Sequence, residues 1–142
     1  MIKVVIDTNV VVSANLVEKG PSAAILNLAT NKKFLMCVSP AVLAEYEEVM
    51  RRPRLKIEPA KIDDALELIR STAIPVSPTV TLEISKHESD NRFYECADAA
   101  GANYLITGNT AHFSKDHLTT KIITPRDFLD LIVRRLSQKG KD

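Results

Sequence analysis

The chain has 142 residues, 45% of them hydrophobic, with 19 basic and 18 acidic side chains and a net charge of +1. That size and composition suit one globular domain with a substantial core and exclude disordered and collagen-like classes. The nearly cancelled charge argues against a global electrostatic grip on nucleic acid or membrane and leaves room for a local patch. Cys37 and Cys96 lie in apolar segments without metal-type spacing, so both are expected to be core side chains in a reducing compartment. The sequence opens without a signal-peptide pattern, and no apolar run approaches the ~18–20 residues of a membrane span, so a cytoplasmic location with no membrane contact is expected.

The first element, IKVVI over 2–6, has four β-branched residues in five positions and predicts a strand buried on both faces. It ends on Asp7, followed by Thr8 and Asn9. A carboxylate at the end of such a strand is costly unless it is paired or chemically employed. The modest reading is a cap, with a side-chain oxygen satisfying N–H groups of the following turn. Gly20-Pro21 then opens a helix over 21–30, and FLMCVS predicts a strand over 34–39. Ser39 followed by Pro40 is an N-cap with proline in the first turn, starting a helix over 40–52. A helix over 59–72 leads to a strand over 73–77, which Pro75 confines to a sheet edge because proline cannot donate to the ladder.

A helix over 90–101 ends at Gly101 in C-cap position, and strands follow over 104–107 and 121–124. Thr124-Pro125 caps a last helix over 125–136. Residues 1–136 are thus expected to form a single domain and 137–142 a polar tail. The alternation of strands and helices predicts an α/β fold with a mostly parallel five-stranded sheet and helices on both faces.

Ligands of open α/β sheets bind beyond the carboxyl ends of the strands, where the strand order reverses. Asp7 ends the first strand, and Thr107-Gly108-Asn109 ends the fourth, so neighbouring first and fourth strands would share one crevice. In SPAVLAEYEEVMRR, at ~100° per residue, Val42, Tyr46, Val49 and Met50 form the inward stripe. Glu45 lies at its border, and Glu47 and Glu48 point away. In ESDNRFYECADAAGA the inward stripe is Phe93, Cys96, Ala97 and Ala100. Asp90 shares that side, and Glu95 and Asp98 are expected to face solvent. Each acid alone has a bland reading, a helix cap for Asp90 and a snorkelling border residue for Glu45. Three clustered carboxylates repel at low dielectric and need a cation. Oxygen-only donors suit Mg²⁺ or Mn²⁺, which serve phosphodiester hydrolysis.

VVIDTNVVVSA, VSPAVLAEYEEVMRR and DNRFYECADAAGANYLITGNTAHF together resemble the PIN-domain family, metal-dependent ribonucleases that include the VapC-like toxins of toxin–antitoxin pairs. The resemblance implies a three-layer α/β/α sandwich. It implies that Asp7, Glu45 and Asp90 are the catalytic acids that hold Mg²⁺ or Mn²⁺, with Thr8, Asn9 and Thr107 in support and Asn9 fixing the geometry of the Asp7 carboxylate. It also implies an RNA substrate, a cognate antitoxin and a homodimer. Asn109 departs from relatives that carry a fourth Asp there, which bears on a second ion, and Asp116 reads as a solvated loop residue.

His87 and His117 read as solvated, His112 as a structural or substrate-side residue. Arg51, Arg52 and Arg54, with Lys32 and Lys33, are ordinary surface unless they lie near the acids, where they could hold phosphates. Two other classes are open. A receiver-like signalling module wants a phospho-accepting Asp and a Lys where this chain has Ser77 and Thr124. A catalytically degenerate RNA-binding or assembly scaffold predicts loss of an acid, and all three are present.

Overall fold

The computed structural model describes residues 1–139. In chain order the elements are β1 (Lys3–Ile6), α1 (Thr8–Leu16), α2 (Pro21–Thr30), β2 (Leu35–Val38), α3 (Pro40–Met50), a 3₁₀ turn (Pro53–Leu55), α4 (Pro59–Thr72), β3 (Ile74–Pro75), α5 (Glu88–Ala100), β4 (Tyr104–Ile106), β5 (Lys121–Ile123) and α6 (Pro125–Lys139). The strands form one sheet in the order β3-β2-β1-β4-β5. All of its pairings are parallel, so the expected mostly parallel sheet is parallel throughout. Val4, Val5 and Ile6 are each 0% exposed. Since successive side chains point to opposite faces, both faces are covered, as the three-layer α/β/α arrangement requires.

The order places the reversal between β1 and β4. From β1 the chain steps outward to β2 and β3, then returns across the sheet to β4 on the other side of β1. The register pairs Ile6 with Ile106, so Asp7 and Thr107 emerge side by side. β3 is two residues long and sits at the edge, where the missing Pro75 donor costs nothing. Ser39 caps α3 through Val42 N at 3.2 Å, Asp127 N donates to Thr124 Oγ at 3.2 Å, and Gly101 ends α5 at φ +61°. Cys37 and Cys96 are free and buried in the core.

One helix was not anticipated, and two expected bounds shift. The stretch after Asp7 is a helix, α1, with Thr8, Val10, Val11 and Val12 buried. Its consecutive valines have poor helix propensity and no polar face, so nothing in its periodicity marks a helix. Burial over the core supplies what propensity does not. The helix expected over 40–52 stops at Met50, before the 3₁₀ turn that Pro53 opens. Finally, 137–139 continue α6, and the rest of the expected tail lies outside the described residues. No helix among the described residues is long and apolar enough to cross a membrane.

Candidate metal centre

Asp7 is the last residue before α1 and caps it, its Oδ1 accepting from Thr8 N at 2.8 Å. Its Oδ2 accepts from Thr107 Oγ at 2.8 Å, so β1 and β4 together fix the carboxylate. Asp7 is 7% exposed, and burial pushes its carboxyl up from 3.8 to about 6. The Thr107 and Thr8 hydrogen bonds oppose that rise, and the charges of Asp90 and Glu45 add to it.

Thr8 also reaches the second acid, its hydroxyl donating to Glu45 Oε2. One residue therefore donates to two carboxylates, through its backbone to Asp7 and through its side chain to Glu45. Burial raises the Glu45 carboxyl as well, with the Thr8 bond opposing and the Asp90 charge adding. Glu45 is placed by its neighbour Tyr46, fully buried, whose phenol donates to the Ile6 carbonyl at the end of β1. Glu47 and Glu48 turn outward to Arg51 and Arg52, as the helical spacing predicts.

Asp90, in the first turn of α5, is 8% exposed. Its Oδ2 lies 3.3 Å from Ser85 Oγ, which donates to it, and 3.4 Å from His112 Nδ1. His112 stacks on His87, with ring centroids 3.9 Å apart. The acids thus come from three separate segments, and the Asp90 charge acts on both Asp7 and Glu45. A crevice of about 490 Å³ opens at the strand ends. Asp7, Thr8, Asn9, Glu45, Asn109 and His112 are among the residues that line it.

The donor chemistry fits a hard divalent cation, being carboxylate oxygens with hydroxyl and amide groups behind them and no sulfur. As the side chains stand, no group of three His, Cys, Asp or Glu among the described residues is drawn together as an ion cage. Each carboxylate accepts from a hydroxyl, Asp7 from Thr107, Glu45 from Thr8 and Asp90 from Ser85.

Several residues have roles that differ from the reading of the sequence. Asn9 Oδ1 accepts from Gly108 N at 3.4 Å, tying α1 to the turn after β4, while Thr107 and the Thr8 amide hold the Asp7 carboxylate. Asp116 is the exposed loop residue that was expected, and it also accepts from Ile122 N at 2.9 Å in β5. Glu95 is buried, accepting from Leu82 N at 2.9 Å and pairing with Arg92. Asp98 pairs with a partly buried His117 at 2.9 Å. Glu95 and Asp98 share a cause: segments 77–87 and 114–118 lie over α5 and convert its outer face into an inner one, which helical periodicity alone cannot register.

The residue that sequence reasoning missed is Asn91. It is 1% exposed, its Oδ1 accepts from both Ile84 N at 3.0 Å and Ser85 N at 2.8 Å, and its Nδ2 donates to Ser85 O. It thereby holds the serine that holds Asp90. Asn91→Ala strands two amides at once and is expected to cost about 2–3 kcal/mol, read as a lowered midpoint in urea unfolding of the metal-free protein.

Residues 3–111 match the family model of the PIN domain. The chain belongs to the PIN domain family. PIN domains are generally nucleases and typically use a divalent metal. An uncharacterized protein of Methanocaldococcus jannaschii is 27% identical over 141 residues, covering 91% of this chain and 90% of its own. The fold of this PIN domain is also similar to the crystal structure of VapBC2 from Rickettsia felis bound to a DNA fragment from their promoter. That match has a TM-score of 0.60 at 19% identity and covers 87% of this chain and 98% of the other.

Proposed function

We propose that this PIN domain is a Mg²⁺- or Mn²⁺-dependent endoribonuclease in which Asp7, Glu45 and Asp90 hold the ion. The observation that carries the reading is that Asp7 and Glu45 line one crevice at the switch point, with Asp90 against its His112 wall, and that burial and the Asp90 charge raise both carboxyls. Ionised together without a cation, these groups are unfavourable, so the arrangement makes physical sense when a divalent ion is bound.

When bound, such an ion polarises a phosphate oxygen and acidifies a water. The chain's own part is orientation. Thr8 and Thr107 direct the two oxygens of Asp7, Thr8 directs Glu45, and Ser85 with His112 directs Asp90. Fixing carboxylates from behind raises the precision of their free lone pairs, a common device of metal sites. No side chain is positioned in this scheme as a covalent nucleophile. Against the degenerate-scaffold alternative stands the retention of all three acids, with the Asp90 charge acting on both Asp7 and Glu45.

The likeness to a VapBC2 assembly supports a cognate antitoxin as partner, and the family resemblance implies a homodimer as the working form. A cytoplasmic location accords with an RNA substrate.

The experiment is cleavage of end-labelled single-stranded RNA with Mg²⁺ or Mn²⁺, with and without excess chelator. Cleavage is expected with either ion and absent in chelator. Asp90→Asn is expected to abolish turnover with its circular dichroism spectrum unchanged. Full activity in chelator, or in Asp90→Asn, overturns the reading.

A further inference from the structure

The crevice contains more than the three acids use. Past Glu45 its wall is aliphatic, made by Leu16 and Val17 at the end of α1 with Val12, Val49 and Leu55. Leu16 and Val17 are 48% and 52% exposed. Arg52 and Arg54 stand on the same crevice.

The arginines of this segment are not equivalent. Arg51 is held by Glu47 at 2.9 Å and Asp63 at 2.6 Å and does not line the crevice. Arg52 pairs with Glu48 at 3.0 Å, an exposed contact that is readily exchanged. Arg54 has no carboxylate within ion-pair distance among the described residues. It is carried on the 3₁₀ turn that Pro53 begins and Lys56 closes at φ +54°. A cation on so constrained a turn, facing a crevice with an acidic floor, has no structural partner to account for it.

We propose that this part of the crevice is a subsite for one unpaired nucleotide of RNA. Arg54, supported by Arg52, holds the phosphate next to the one cleaved, and the base lies on the Leu16–Val17 shelf. The assignment of the cleaved position rests on the nuclease reading above.

An acidic floor repels a polyanion, so a cation at the mouth is what lets one approach. The volume, about 490 Å³, is that of a small-ligand site rather than of a duplex groove. A paired base has its faces covered by stacking and cannot offer them to a shelf, whereas an unpaired one can. Aliphatic contact reads no hydrogen-bonding edge, so the subsite selects strandedness rather than sequence.

The test uses the full chain carrying Asp7→Asn, so that RNA is not turned over, and a fluorescent oligouridylate, alone or annealed to oligoadenylate. Anisotropy is measured across a salt series. Arg54→Gln is expected to weaken single-strand binding by about tenfold and to lower the log–log salt slope by about 0.7, the value for one phosphate contact on a single strand. Arg54→Lys should restore the slope. Val17→Asn should weaken binding with the slope unchanged, and the duplex should bind less tightly than the single strand. In the otherwise unaltered chain, Arg54→Gln should raise KM and leave kcat alone.

Unchanged affinity and slope in Arg54→Gln, or equal binding of duplex, overturns the subsite. So does a change in self-association, rather than RNA affinity, in Arg54→Gln and Val17→Asn, which would give the shelf to a protein surface. RNA binding with this pattern but no hydrolysis under either ion removes the nuclease reading and leaves the subsite. Hydrolysis with KM and slope untouched by Arg54→Gln does the reverse.

Discussion

Asp7→Asn is expected to abolish RNA cleavage and, in the same molecule, to make the metal-free protein more stable. Asp7 ionises at about 6 in the fold against an ordinary 3.8, chiefly because it is buried. Its charged form therefore costs about 3 kcal/mol of stability above pH 6. The sign is that of a raised acid. The penalty is present at neutral pH, falls as pH drops through about 6 and is gone below the unfolded value of 3.8. Asparagine is nearly isosteric, and its amide oxygen can still accept from Thr8 N while its NH₂ donates to the Thr107 hydroxyl. The difference in melting temperature between variant and parent, measured in chelator, should thus be largest near pH 8 and close to zero near pH 4. A pH-independent difference would mean that Asp7 is not the strained group. With Mn²⁺ present the order should invert, because the parent gains binding free energy that the variant lacks.

Asn109→Asp is expected to strengthen divalent-ion binding by about tenfold or more, equivalent to about 1.4 kcal/mol. Asn109 lines the same crevice as Asp7, and its backbone N–H donates to the Thr107 hydroxyl that holds Asp7. An aspartate there adds a full charge facing the ion, where the amide offers a dipole. Two unit charges ~5 Å apart at an effective dielectric near 20 interact by about 3 kcal/mol, so a doubly charged ion gains enough to outweigh imperfect geometry. The same charge repels Asp7 when no ion is present, so the metal-free variant should melt lower than its parent. Calorimetric titration of Mn²⁺ into both proteins at matched ionic strength checks the first effect, and thermal unfolding in chelator the second. Equal affinities would place residue 109 outside the coordination shell and leave one ion held by the three acids alone.

How much of this was legible in the sequence differs by element, for physical reasons. Asp7 was exposed as a candidate by the run of β-branched residues before it, since a carboxylate ending a buried strand demands an explanation. Glu45 was separated from Glu47 and Glu48 by helical phase, and the folded α3 keeps that separation. The capping residues Ser39, Thr124 and Gly101 and the edge position of Pro75 act within a few residues, so they are readable without knowing the fold.

What needed the tertiary structure was everything set by a second segment. The valines of α1 are a strand by propensity and a helix because the core covers them. Glu95 and Asp98 sit on the polar side of α5 by periodicity, and become an inner layer because distant loops are laid over them. Asn91 has no signature of its own, since an asparagine in a helix is ordinary until its amide is seen bonding two backbone groups of another segment. Thr8 serves two acids only because α3 is brought against β1 by Tyr46. Local chemistry determined which carboxylates had to be accounted for. Long-range packing decided which hydroxyls hold them, because a hydrogen bond between residues about a hundred positions apart, such as Thr107 to Asp7, leaves no periodic trace in either segment.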